Sequence, residues 1–111
     1  MTTECDYRLV LCTCPDQETA LAIGGHLVQE RLAACVNLVP GLTSIYRWDE
    51  AIEQAPEVLL LIKTTTARFD ELSDSLRRLH PYEVPEIIAL PITTGSPDYL
   101  SWVTTCTQPQ D

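Results

Sequence analysis

The sequence predicts an α+β sandwich of one domain, and three observations carry that expectation. Strand-like apolar runs and stretches of helical period follow one another as strand, helix, strand, strand, helix, strand, with one more helix signal at the C-terminal end. Prolines at 15, 81 and 91 close three of these elements. The 111 residues, 45% hydrophobic, suffice for a self-contained core.

Tyr7 to Cys14 (YRLVLCTC) is aliphatic and stops at Pro15, so it reads as a buried first strand. Asp16 is placed to cap a helix whose apolar positions Ala20, Ile23, Leu27 and Val28 recur at helical spacing, with Leu32 near its end. Gly24 and Gly25 weaken that helix by ~1 kcal/mol each relative to Ala, a cost consistent with close packing of helix on sheet. Cys35 to Val39 and Leu42 to Trp48 flank Pro40-Gly41 and read as one bulged strand. Asp49-Glu50 is the turn, Ala51 to Gln54 begins the return, Pro56 kinks it, and Glu57 to Thr64 completes a long third strand. Thr66 is placed to cap a second helix with Phe69, Leu72, Leu76 and Leu79 on one face, ended by His80-Pro81. Glu86 to Leu90 is a short fourth strand. Ser96-Pro97-Asp98 then supplies a cap, an N1 proline and a first-turn acid for a last helix with Tyr99, Trp102, Val103 and Cys106 as its face. The order βαββαβ, with a long central hairpin and a C-terminal helix, is that of a ferredoxin-like sandwich. It fills residues 1–111 as a single domain, with tails at about 1–6 and 107–111.

Seven Lys and Arg against sixteen Asp and Glu give a net charge of −9, the wrong sign for a phosphate backbone or an anionic membrane surface. Nucleic acid and membrane are therefore excluded as default partners. No apolar run approaches the ~20 residues that cross a bilayer, and the acidic N-terminal end lacks the signature of a signal peptide, which points to a cytoplasmic protein. Five cysteines in no zinc-ribbon spacing agree with free thiols in a reducing compartment.

Several blocks in order resemble the CutA divalent-cation-tolerance family: Val10-Leu11-Cys12-Thr13 with Pro15-Asp16, Leu32 to Asn37, Pro40-Gly41 with Tyr46-Arg47-Trp48, Lys63-Thr64-Thr65, His80-Pro81-Tyr82 with Pro85-Glu86, and Tyr99-Leu100-Ser101-Trp102. The resemblance implies a ferredoxin-like fold, a cytoplasmic homotrimer, and binding of copper(II) or another divalent metal linked to metal tolerance. It also implies a metal site at Cys12 and His80. The family pattern has two adjacent histidines before Pro-Tyr, and here Leu79 stands in place of the first.

The residues also have readings of their own. Cys12 and Cys14 share one strand face ~6.6 Å apart along the chain, too far for a disulfide in a regular strand. A thiolate with an imidazole suits a borderline metal; both cysteines equally suit a core as small hydrophobes. His80 fits a helix C-terminus, where it can bond terminal carbonyls without any metal. Cys12 with His80 also has the composition of a nucleophile and base, but nothing supplies an orienting third group or an oxyanion hole, so no enzyme is expected. Lys63, the single lysine, reaches solvent or pairs with Glu57, Glu83 or Glu86, or else anchors a small anion in a cleft between subunits of a trimer, by analogy with PII-type signalling proteins. Glu83 and Glu86 can supplement a weak metal site but are expected to be solvated. Tyr46 and Trp48 lie near the tip of a hairpin longer than the domain can cover, where exposed aromatics favour a subunit interface.

Overall fold

The computed structural model describes residues 5–110. Its elements are β1 (Tyr7–Cys14), α1 (Gln17–Gln29), β2 (Cys35–Trp48), β3 (Ala51–Thr65), a short 3-10 turn (Thr66–Arg68), α2 (Phe69–Leu79), β4 (Ile88–Pro91) and α3 (Pro97–Cys106). The sheet runs β2-β3-β1-β4 with every neighbouring pair antiparallel, which is the ferredoxin-like arrangement.

Alternation along the strands decides which side chains form the core. Val10, Cys12 and Cys14 of β1 and Val58, Leu60 and Ile62 of β3 face one way and meet Ala20, Ile23 and Leu27 of α1 and Leu72 and Leu76 of α2. Gly24 is buried in this packing: a Cβ there would lie 3.2 Å from Val36 Cγ1. Gly25 meets nothing within 4 Å, so close packing explains only the first of the two glycines. The opposite sheet face carries Leu9, Leu11, Leu59, Leu61 and Lys63. Among the described residues α3 covers part of it, through buried Val103 and a 2.6 Å hydrogen bond between the Tyr7 and Thr104 hydroxyls.

The caps separate the expectations that hold from those that do not. Asp16 accepts from the Thr19 amide at 2.7 Å and Ser96 from the Tyr99 amide at 3.4 Å, as placed from sequence. Thr66 caps nothing: its hydroxyl donates to the Cys5 carbonyl at 2.6 Å, and a 3-10 turn precedes α2. Leu32 lies past α1, whose end is a Schellman turn with Arg31 at φ 60°, the Arg31 amide donating to Val28 and the Leu32 amide to Leu27. Arg68 closes the same end, donating to the carbonyls of Arg31 at 3.3 Å and Glu30 at 3.5 Å. Val28, Leu79, Tyr99 and Trp102, assigned to buried helix faces, are exposed.

β2 is a single strand whose register shifts between Val39 and Leu42, so the bulge falls at Pro40-Gly41. β3 runs unbroken through Pro56. The β1 ladder ends at the Cys14–Val58 pair, so Pro56 lies where β3 has a neighbour on one side only, which a missing N–H tolerates. β4 begins at Ile88 rather than Glu86 and includes Pro91, permitted because β4 is an edge strand. Of the expected tails, residues 1–4 and 111 lie outside the described residues. Thr107 is buried and donates its hydroxyl to the Val103 carbonyl at 2.8 Å.

Candidate metal centre

The last residues of β1 and the turn that leaves α2 meet under the sheet edge that β4 does not reach. β4 pairs only with Arg8 to Leu11, leaving the Thr13 carbonyl free of that ladder and bonded by His80 instead. His80 leaves α2 as its C-cap, with extended backbone, and its amide closes the helix on the Leu76 carbonyl at 2.9 Å. The ring is thereby carried into the core.

There Cys12, Cys14 and His80 form a buried cluster whose candidate ligand atoms all lie within 4.8 Å of one another. Both cysteines are fully buried and His80 is 7% exposed. Cys14 Sγ lies 3.9 Å from His80 Nε2, and no disulfide joins the two thiols. Cys12 and His80 are thus brought together, and Cys14 with them. Sequence spacing alone had left Cys14 between thiol ligand and core filler. Its alternation with Cys12 was the signal for a shared face, but the approach of His80 is a product of the tertiary fold.

The ring of His80 has both nitrogens engaged. The Tyr82 amide donates to Nδ1 at 3.1 Å, so Nδ1 is unprotonated and Nε2 carries the hydrogen that is donated to the Thr13 carbonyl at 2.8 Å. The imidazole is therefore neutral, the form a metal needs, but Nε2 is occupied as a donor. Presenting that lone pair to an ion moves the proton to Nδ1 and forfeits two hydrogen bonds, about 1 kcal/mol each. Metal binding must exceed that cost.

The thiols differ. Sharing a hydrogen bond with Cys14, together with burial, pushes the Cys12 thiol well above its ordinary range, with the charges of Cys14, Glu86 and Glu57 adding to the effect. Accepting that hydrogen bond draws Cys14 down, against burial and the charges of Asp16 and Glu57. A cation placed between the two would reverse the penalty on Cys12, because a coordinating thiol is deprotonated outright.

Around the cluster, Tyr82 tilts over His80 at a ring separation of 4.7 Å and donates its hydroxyl to Glu57 Oε2 at 2.6 Å. Glu57 is nearly buried, whereas Glu83 and Glu86 are exposed, as expected of solvated carboxylates. Leu79 is 42% exposed and lines a shallow hollow with Glu18, Thr19, Ala22, Ile23 and Pro81, so position 79 faces α1 instead of the thiols. Lys63 stands on the opposite sheet face, where it donates to Asn37 Oδ1; among the described residues it forms no ion pair with Glu57, Glu83 or Glu86.

The model of the CutA1 divalent ion tolerance protein family matches residues 8–106, a span that holds the whole cluster. The chain belongs to the CutA1 family. A divalent-cation tolerance protein CutA of Thermus thermophilus is 56% identical over 96 residues, covering 86% of this chain and 93% of the relative. Among solved structures, CutA from Xylella fastidiosa is 46% identical at a TM-score of 0.91, covering 93% of this chain and 99% of that one. A CutA from Archaeoglobus fulgidus, described as a periplasmic divalent cation tolerance protein, is 33% identical at a TM-score of 0.90, covering 92% and 99%. Membership in CutA1 ties the chain to divalent cation tolerance. No helix among the described residues is long and apolar enough to cross a membrane.

Proposed function

We propose that this CutA1 chain is a non-catalytic, cytoplasmic homotrimer that binds a divalent metal, copper first, with Cys12 and His80 as ligands. The observation that carries the reading is the burial of one thiol and one neutral imidazole in a single cluster of ligand atoms spanning 4.8 Å. Sulfur and imidazole are the donors that prefer copper and zinc over magnesium or calcium. When bound, the ion would supply a Lewis-acidic centre; the chain supplies the buried donors and the Tyr82 ring that packs beside His80 and is itself held by Glu57.

The trimer is supported by surface that one chain leaves uncovered. Val39, Ile88 and Leu90 are each more than 40% exposed beside the half-buried Leu9, Leu11, Leu59 and Leu61 on one sheet face. The hairpin tip adds Ile45, Trp48 and Ile52, each more than 60% exposed. Closing a ring buries such faces and covers strand edges. Five free cysteines support a reducing compartment. Isothermal titration with copper and zinc on the native chain, Cys12→Ser and His80→Ala tests the site, and unchanged binding in both variants rejects it. Sedimentation as a monomer at micromolar concentration rejects the trimer.

A second reading, a PII-like trimer that takes a small anion in a subunit cleft, is favoured by Lys63, whose exposed ammonium is bonded to a neutral amide. Thermal shifts with nucleotides and carboxylates that vanish in Lys63→Ala support it, and indifference across the panel removes it.

A further inference from the structure

Cys14 is the member of the buried cluster that the Cys12 and His80 pairing does not use. It is fully buried, its Sγ is 3.9 Å from His80 Nε2, and it shares the 4.8 Å span with Cys12. Position 79, next to His80 in sequence, lies exposed against α1 and brings nothing to this cluster. Among the described residues, the remaining donor in the cluster is Cys14 of β1.

We propose that Cys14 is a third ligand, forming with Cys12 and His80 a two-thiolate, one-imidazole site for a thiophilic divalent cation. This deepens the metal-binding reading above and rests on it. Charge gives the first reason. A dication with two thiolates and a neutral imidazole sums to zero, whereas a single thiolate leaves a net positive charge among three buried side chains. Two thiol protons leave as the two metal–sulfur bonds form, so the step balances without any oxidant. Geometry gives the second. Ligands on a tetrahedral zinc-sized ion, with bonds of about 2.0–2.3 Å, sit roughly 3.5–3.8 Å apart, so a cluster spanning 4.8 Å needs a contraction of about 1 Å. Softness gives the third, because paired thiolates discriminate against magnesium, calcium and manganese.

The ring of His80 sets the accompanying movement. For Nε2 to ligate, its proton passes to Nδ1, and the Tyr82 amide that now donates to Nδ1 has to turn away. Loading the site therefore releases the Pro81-Tyr82 step from its present contact.

The test is titration of the full chain with Cd(II), which is thiophilic and does not oxidise thiols, in a thiol-free reductant. The ultraviolet thiolate-to-metal absorption at one equivalent is read together with the affinity. Cys12→Ser and Cys14→Ser are each expected to lose about half of that absorption and to bind about tenfold or more weakly. Cys14→Ala, which suits the apolar surroundings, gives the same loss and stands in where serine disturbs folding. Native absorption and affinity in Cys14→Ala, alongside losses in Cys12→Ser and His80→Ala, overturns the role of Cys14 while leaving the underlying reading intact. Cd(II) binding that none of these variants alters overturns both.

Discussion

The hydroxyl of Tyr82 donates to Glu57 Oε2 at 2.6 Å, joining the turn after α2 to β3 at the edge of the cysteine and histidine cluster. Burial, and then the Glu57 carboxylate, push the phenol above its ordinary value of 10.0. The folded state therefore favours the neutral phenol, so its contribution is fully present below pH ~10 and is lost as pH rises through the raised value. Tyr82→Phe should remove that alkaline limb and cost about 1 kcal/mol at neutral pH, since a nearly buried carboxylate loses its donor. Urea denaturation at pH 7 and pH 11 checks this; an unchanged difference between the two pH values in the Phe variant contradicts it.

Gly25→Ala should raise stability by about 0.5–1 kcal/mol, because the added methyl enters open space and helix propensity improves. Gly24→Ala gains the same propensity but meets a β-branched Val36 at 3.2 Å, so it should be neutral or destabilising. Equal stabilisation of the two variants in parallel denaturation curves would mean that Val36 yields freely.

Arg68→Met should destabilise by roughly 1–2 kcal/mol and speed amide exchange at the end of α1, because the guanidinium that closes the Glu30 and Arg31 carbonyls is lost. Glu71→Ala, which removes only its ion pair with Arg68 at 3.1 Å, should stay within about 0.5 kcal/mol, since Glu71 is 71% exposed. Comparable losses in both would shift the weight from the helix end to the ion pair.

Hydrogen bonds from the Thr19 amide and hydroxyl hold the Asp16 carboxyl below its ordinary value of 3.8. Its contribution to α1 is therefore present above the unfolded value and is lost as pH falls through the lower folded one. Melting temperature should drop with acidification more steeply in the native chain than in Asp16→Asn, which keeps a neutral cap. Parallel acid limbs would refute the assignment.

Most of the fold was legible because its boundaries are set by local chemistry. Pro15 ends β1, Asp49 takes the positive φ of 54° at the hairpin turn, and Ser96-Pro97 opens α3. The end of α1 was not, because Arg31 adopts the left-handed conformation without the glycine that usually announces it. Thr66 misled for a related reason: a hydroxyl suited to capping found the Cys5 carbonyl of a distant segment instead. The buried faces of α2 and α3 were read too widely, since helical period does not say how far a neighbouring layer extends over Leu79 or Trp102. At the candidate site, alternation placed Cys12 and Cys14 on one face, but a spacing along a strand contains no information about a ring delivered 66 residues later.

The two strands of the central hairpin continue past the end of β1, and residues 45 to 54 are exposed throughout. In an isolated chain that arm is a two-stranded ribbon with no layer on either side, an object of marginal stability in water. Its amides should breathe on a fast timescale while those of Val58 to Ile62 stay locked, and in the trimer proposed above they should slow as the arm is covered. If the proposed trimer forms, hydrogen exchange at Tyr46 and Gln54 becomes a clock for its assembly, reporting the lifetime of the complex from within a single subunit.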